Sequence, residues 1–285
     1  MNPTVIDLKG RAISQAELLE IAKTGKIRSQ NKNEWSLCNA GDRVSSIART
    51  FLMLETENPT LFCQLEEDDE LAKAALKFLQ DNFVNSNGLC AFLTSGSMGF
   101  PKLVIHSVES LREAARKIIE RFPLIQGKRL HHLFPENYMA GILNSTVVPL
   151  IANGSIFLDD KFDFRSSFMI SERALAHNSE YAWLSPSMLA AMTSQASRGK
   201  IKFPPWFLIF SATGPLSTGE RDKCFSLSKI SIINTFGTTE SLFIGTELEP
   251  KMEVSCGFPL SDVEVFVQLQ DGTKTKFGYG SLGVK

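Results

Sequence analysis

Apolar runs of four to seven residues alternate with amphipathic stretches along most of this chain. Residues 14–25 repeat apolar positions at helical spacing; Ser14 and Glu17 make a capping box and Gly25 suits the stop. A polar stretch over 26–40 reads as loop. A second helix is predicted over 42–55, with Ile47, Phe51 and Leu54 on one face. Residues 59–65 read as a strand. Asp68 or Asp69 then caps a helix ending near Gln80, with Leu71, Ala75, Leu76 and Leu79 inward. The acidic run from Glu66 to Glu70 reads as the solvated start of that helix, favoured by its dipole. Residues 89–93 and 103–106 are short β-type runs, followed by a helix over 107–121 whose apolar stripe is Leu111, Ala114, Ala115, Ile118 and Ile119.

The alternation continues. Strands are predicted at 128–134, 155–158, 181–184, 206–211 and 230–236. Helices are predicted from Gly141 to Ile151, from Pro186, and from Thr218 to Ser226. Strands interleaved with helices argue for a largely parallel α/β sheet, whose ligands bind in turns at the carboxyl ends of strands. From Gly257 the pattern becomes strictly alternating, with an Asp271-Gly272 turn, and reads as a small antiparallel β unit. The expected organisation is a large α/β part over 1–255, divided into a short segment 1–87 and a nucleotide-binding part 88–255, with a β subdomain starting at 256.

Composition narrows the class. The chain has 285 residues, 43% hydrophobic and 21% charged, with a net charge of −1. That balance leaves no electrostatic footprint for nucleic acid or an anionic membrane, and no run reaches membrane-spanning length. No secretory signal opens the sequence, so a cytoplasmic location is expected, and a homodimer stays open. The five cysteines and four histidines show no metal-ligand or redox spacing. Most cysteines sit in apolar runs as small core residues, and His131-His132 reads as a surface pair.

The densest candidate chemistry is Thr94-Ser95-Gly96-Ser97-Met98-Gly99-Phe100-Pro101-Lys102. Its glycines let backbone N–H groups approach an anion, its hydroxyls can rotate towards phosphate oxygens, and Lys102 adds a mobile positive charge. Leu103 follows Lys102 where a Walker-type loop has Ser or Thr, and no helix follows at once. Further turns follow predicted strands at 212–216 and 237–240.

In sequence order these turns resemble the adenylate-forming family: acyl- and aryl-CoA synthetases, luciferases and peptide-synthetase adenylation domains. Thr94 to Lys102 is similar to the family's phosphate loop, and His106 to a His just beyond it. Pro135-x-x-Tyr138-x-x-Gly141 resembles a Pro-x-x-His-x-x-Gly segment whose aromatic ring flanks the acyl pocket. Ser211 to Leu216 resembles a Gly-Gly-Ala-Pro-Leu turn along the adenine. Phe236-Gly237-Thr238-Thr239-Glu240 resembles Tyr-Gly-x-Thr-Glu, and Cys256-Gly257-Phe258-Pro259-Leu260 with Val263-Glu264-Val265 resembles the segment opening the next subdomain.

The resemblance implies stacked α/β/α/β/α layers with largely parallel sheets, and the start of a small antiparallel β subdomain. It also implies an ATP-dependent carboxylate–CoA ligase with Mg2+ and CoA, acting on a small carboxylic acid. Thr94, Ser95, Gly96, Ser97, Gly99, Lys102, Thr213, Gly214, Pro215, Asn234, Phe236, Gly237 and Thr239 would hold the nucleotide. Lys102, Thr239 and Glu240 would serve catalysis, Glu240 the metal, and His106, Tyr138, Gly141 and Ser211 the substrate pocket. The compact start also resembles o-succinylbenzoate–CoA ligases of menaquinone and phylloquinone synthesis.

Three departures stand out. Met98 replaces a phosphate-contacting Thr, Tyr138 replaces His, and Phe236 replaces Tyr. Gly280-Ser281-Leu282-Gly283-Val284-Lys285 resembles a Gly-Glu-Leu-x-Val-Lys segment that the family continues much further. The ribose-holding Asp, the hinge and the mobile C-terminal domain with its Lys are therefore expected to be absent from this chain, which should be a poor ligase alone. Alternatives are an acyl- or aryl-adenylating enzyme that loads a carrier protein, and a non-catalytic nucleotide-binding scaffold on a decayed ligase fold.

Overall fold

The computed structural model describes residues 5–24, 34–38, 42–65, 69–94, 101–249, 255–276 and 281–285. The strands and helices of the first part are β1 (Val5–Ile6), β2 (Ala12–Ile13), α1 (Gln15–Thr24), β3 (Ser36–Cys38), α2 (Arg43–Thr56), β4 (Thr60–Phe62) and α3 (Glu70–Asn82). Next come β5 (Leu89–Thr94), β6 (Lys102–Ser107), α4 (Val108–Arg121) and β7 (Arg129–His132). A π-helical segment, Ala140–Val147, runs into α5 (Val148–Ile151). Then follow β8 (Ser155–Leu158), α6 (Ile170–Ala176), β9 (Tyr181–Leu184), α7 (Pro186–Ser197), β10 (Leu208–Ser211), α8 (Thr218–Ser228), β11 (Ser231–Thr238) and β12 (Leu242–Thr246). The last strands are β13 (Phe258–Pro259), β14 (Val265–Gln268), β15 (Lys274–Thr275) and β16 (Ser281–Val284).

Among the described residues the strands form three sheets. The nine-stranded sheet has the order β13-β12-β11-β10-β9-β7-β8-β1-β2. Its strands from β11 to β1 are parallel, and the outer ones are antiparallel. The connections β8–α6–β9, β9–α7–β10 and β10–α8–β11 advance one way along the sheet. The π segment and α5, between β7 and β8, advance the other way. Right-handed crossovers therefore place α6, α7 and α8 on one face and the π segment with α5 on the other. The order reverses between β7 and β9, which is where an open α/β sheet forms a crevice at its carboxyl edge.

The second sheet, β3-β4-β5-β6, is parallel except for the β5–β6 hairpin. Its alternation is direct: Leu61 and Ala91 face α3 in one cluster, while Phe62, Cys90 and Phe92 face the main core with α2 and α4. The layers are thus α3, the small sheet, a middle helix layer, the large sheet, and α6–α8, as the sequence implies. On α4, Leu111 and Ile118 are fully buried, and each contributes about 2 kcal/mol of hydrophobic stabilisation. The third sheet, β15-β14-β16, is antiparallel.

Helix starts follow the expected capping chemistry. Ser14 and Glu17 bond reciprocally. Asp42, Asp69 and Ser107 cap α2, α3 and α4. Several expectations are corrected. The stretch expected as loop contains β3, too short to show periodicity and formed because β4 pairs with it. Residues 66–68 of the acidic run lie outside the described residues. Leu71 is 38% exposed, because Ala72, Ala75 and Leu79 form the buried face of α3 and Leu71 sits about 100° away from Ala72.

His131 and His132 are not a surface pair; both are fully buried. As neighbours on a strand they face opposite sides of the sheet. His131 Nε2 donates to Asp159 at 2.9 Å, and its Nδ1 lies 3.2 Å from the Ser179 hydroxyl. His132 Nδ1 accepts from Arg43 at 3.1 Å, and its Nε2 lies 3.3 Å from Thr146 Oγ1. Each ring is fully partnered, so burial is tolerated in the neutral form.

Candidate active site

Two adjoining cavities open at the carboxyl ends of the strands, with Tyr138, Met139 and Thr239 in the wall they share. The first, about 420 Å³, is bounded by Ala212–Pro215 after β10, by Asn234 to Thr239, by Leu242 and Phe243 of β12, and by Ala140, Leu143 and Asn144 of the π segment. The second, about 680 Å³, is bounded by the ends of the small sheet: Phe62, Phe92, Thr94 and Lys102, with Asn137 and Glu240 opposite. A cavity of about 860 Å³ lined by Arg129, Ser155 and Glu180 lies at the amino ends of β7, β8 and β9, away from every candidate site residue.

The β5–β6 hairpin carries the candidate phosphate loop. Thr94 and Lys102 are the last pair before its connecting loop. Ser95, Gly96, Ser97, Met98, Gly99 and Phe100 lie outside the described residues. Lys102 Nζ is 3.8 Å from Glu240 Oε1, with both side chains about half exposed (50% and 53%). His106 Nε2 donates to the Thr239 carbonyl oxygen at 2.7 Å, which fixes the proton on Nε2. Thus β6 of the small sheet holds the turn between β11 and β12 of the large one. Phe92 packs edge-on against the His106 ring.

Gly237 sits where β11 changes register against β12. A Cβ there would come 2.2 Å from the Leu242 carbonyl oxygen, so glycine alone allows the approach that turns Thr239 and Glu240 into the cleft. Thr213 holds a positive φ of 75°, unusual for a β-branched residue, in the exposed turn with Gly214 and Pro215. Asn234 is buried; its Nδ2 donates to Ser255 O at 2.7 Å, whereas Oδ1 has no partner. Asn234 lines the first cavity, but its Oδ1 is sealed from it.

Tyr138 is 38% exposed between the cavities. Its turn is pinned from below. Arg43 Nε donates to Glu136 at 2.8 Å, Arg43 Nη2 donates to Phe134 O at 2.8 Å, and Arg43 Nη1 donates to Asp159 O. Asn137 Nδ2 donates to Cys63 O at 2.7 Å, tying the turn to β4. Gly141 packs so tightly that a Cβ would lie 1.8 Å from the Pro135 carbonyl oxygen.

Three of the four expected substrate-pocket residues do not line either cavity. His106 holds Thr239, Gly141 closes the turn, and Ser211 is fully buried with its hydroxyl unpartnered. Ser211 pairs in register with Asn234 and Leu184, on the face opposite Phe210. Conversely, Leu143, Asn144, Leu242 and Phe243 line the first cavity without having been expected there. The spacing of Ala140, Leu143 and Asn144 is the signal that would have found the π-segment contribution.

Cys256 also lines the first cavity. Burial, and then the Glu247 carboxylate, raise its thiol above the ordinary value, so it is held as a neutral thiol. Among the described residues no group of three or more His, Cys, Asp or Glu side chains forms a metal cluster.

An α/β sheet with a glycine- and hydroxyl-lined cleft at its strand ends is the architecture of a nucleotide-binding enzyme. The chain belongs to the family of AMP-binding enzymes, whose pattern matches residues 33–280. It is 24% identical over 270 residues to a CoA ligase of Gibberella moniliformis, covering 82% of this chain and 45% of that protein. The chain therefore spans under half the length of this relative. Its fold matches a long-chain-fatty-acid–CoA ligase from Archaeoglobus fulgidus with a TM-score of 0.77 at 13% identity, over all of this chain and 71% of that one. It also matches o-succinylbenzoate coenzyme A synthetase from Bacillus subtilis in complex with AMP, with a TM-score of 0.75 at 14% identity, over all of this chain and 84% of that one.

Proposed function

We propose that this chain is the nucleotide- and acid-binding part of an AMP-forming carboxylate–CoA ligase. The reaction joins a carboxylate oxygen to the α-phosphorus of ATP and expels pyrophosphate; CoA then displaces AMP to give a thioester. The observation that carries the reading is the meeting of Lys102 and Glu240 across the second cavity, beside Thr239, which both cavities share. Adenylation is mainly a matter of aligning the carboxylate and neutralising phosphate charge.

In this reading the first cavity takes the adenine, against Gly214 and Phe236 with Asn234 in the wall, and also the acyl group. The second cavity takes the phosphates. Lys102 leaves its exposed partner Glu240 to meet phosphate oxygens, which costs little because the pair is solvated. Thr239 adds a hydroxyl donor. Glu240 would hold Mg2+, an ion that takes one carboxylate from protein and its remaining ligands from phosphate and water, consistent with a lone acidic residue here. When bound, the ion would neutralise the charge of the leaving phosphates.

The test is calorimetric titration with ATP and Mg2+. The reading predicts saturable one-site binding that Glu240→Gln weakens at least tenfold. Absence of binding, or binding indifferent to that substitution, contradicts it. Acid-dependent release of pyrophosphate rather than phosphate identifies the bond that is cut.

A further inference from the structure

Asn144 is only 5% exposed, yet its side chain makes no hydrogen bond among the described residues. Its amide atoms are absent from the sealed, unpartnered polar atoms of the core, so they meet open space, and the space they meet is the first cavity. The other buried carboxamides differ. Asn137 donates to Cys63, Asn234 to Ser255, and Gln195 to Phe164 and Ser167. The same cavity is lined in part by apolar side chains, Leu143, Ala212, Leu242 and Phe243. A leucine in place of Asn144 would satisfy an apolar occupant at no desolvation cost.

We infer that the acid recognised here carries a hydrogen-bonding group on its acyl portion, a hydroxyl, a keto oxygen or an amide, and that Asn144 reads it. The carboxamide offers both a donor and an acceptor, so all three groups share the required chemistry. A site built around a buried polar group rejects an isostere that leaves that group unpaired far better than an apolar pocket rejects an extra methylene. Asn144 sits one helical turn from Ala140 on the segment that follows Tyr138, whereas Gly214 and Pro215 belong to the turn after β10. In the adenylation reading that turn takes the adenine and the segment after Tyr138 takes the acyl part. This inference rests on the adenylation reading.

The test is calorimetry with stable acyl-sulfamoyladenosine mimics of the acyl-adenylate, in pairs that differ by a polar group against a methyl: hydroxy- and methylbenzoyl at each ring position, and hydroxy-, keto- and methyl-substituted short aliphatic acyl groups. The native chain is expected to favour at least one polar member over its methyl partner by tenfold or more. Asn144→Leu is expected to bring that ratio within threefold, and Asn144→Thr to retain part of it. Unfolding curves identify any variant that fails to fold, and the native ratio stands without them. Methyl members binding as tightly as every polar partner, or a ratio unchanged in Asn144→Leu, overturn the inference alone. Failure of AMP and all mimics to bind overturns the adenylation reading together with it.

Discussion

His106 Nε2 donates to the Thr239 carbonyl oxygen at 2.7 Å, across 133 positions of sequence and between two different sheets. This bond couples the hairpin of the phosphate loop to the turn bearing Glu240. His106→Phe removes the donor and leaves a half-buried carbonyl unpaired, so stability should fall by about 1 kcal/mol. The coupling predicts a larger effect on MgATP affinity than on stability. Urea unfolding and calorimetry on the same variant separate the two; unchanged MgATP affinity would show that the bond is structural only.

Lys102 and Glu240 form a solvated pair at 3.8 Å, and such pairs contribute about 0–1 kcal/mol. Lys102→Met should therefore leave the melting temperature within a few degrees while weakening ATP binding more than AMP binding, because its partner in use is phosphate. Equal losses for ATP and AMP would place Lys102 elsewhere in the site.

Burial lowers the His131 ring below its usual value, despite Asp159 beside it, and lowers His132 well below, with Arg43 adding to burial. The unfolded chain then binds more protons than the native one below about pH 6.5. Stability should be level above neutrality and decline as the pH falls below 6.5 towards the folded values. Burial acting on Asp159 is outweighed by His131, the Asp160 amide and Arg173, so its carboxyl is held below the ordinary value and adds a further loss under about pH 4. Urea midpoints at pH 7.5, 6.5 and 5.5 check the sign, and His132→Gln should flatten the slope.

Gly141 has no room for a methyl group, with Pro135 O at 1.8 Å from its Cβ position. Gly141→Ala should cost on the order of 2–3 kcal/mol, the range of overpacking. It should also weaken AMP binding, since the displaced turn carries Tyr138. Thermal unfolding with and without AMP reads both.

The alternation of strands and helices was legible because these elements are long enough for periodicity to show, whereas the stacked layers were implied by the resemblance of the motifs. Phe236, Asn234 and Thr213 to Pro215 were placed by motif order, and all line one cavity. What sequence could not show were consequences of three-dimensional pairing. His131 and His132 look like a polar strand end until Asp159, Ser179, Arg43 and Thr146 arrive from four other places in the chain. Strand β3 exists because β4 lies beside it, and Ser211, on the same face as its register partner Asn234, is sealed by packing that the sequence does not reveal. Asn144 sits inside an apolar run, where only its spacing from Ala140 marks it as sharing that residue's face.

The most direct measurement is a crystal structure of the chain with AMP bound. The account predicts the adenine against Phe236 and the Gly214 backbone, beside Asn234, and the phosphate directed towards Thr239. Nucleotide density at the amino ends of β7 to β9, near Arg129 and Glu180, or a cleft left empty at saturating AMP, would contradict it.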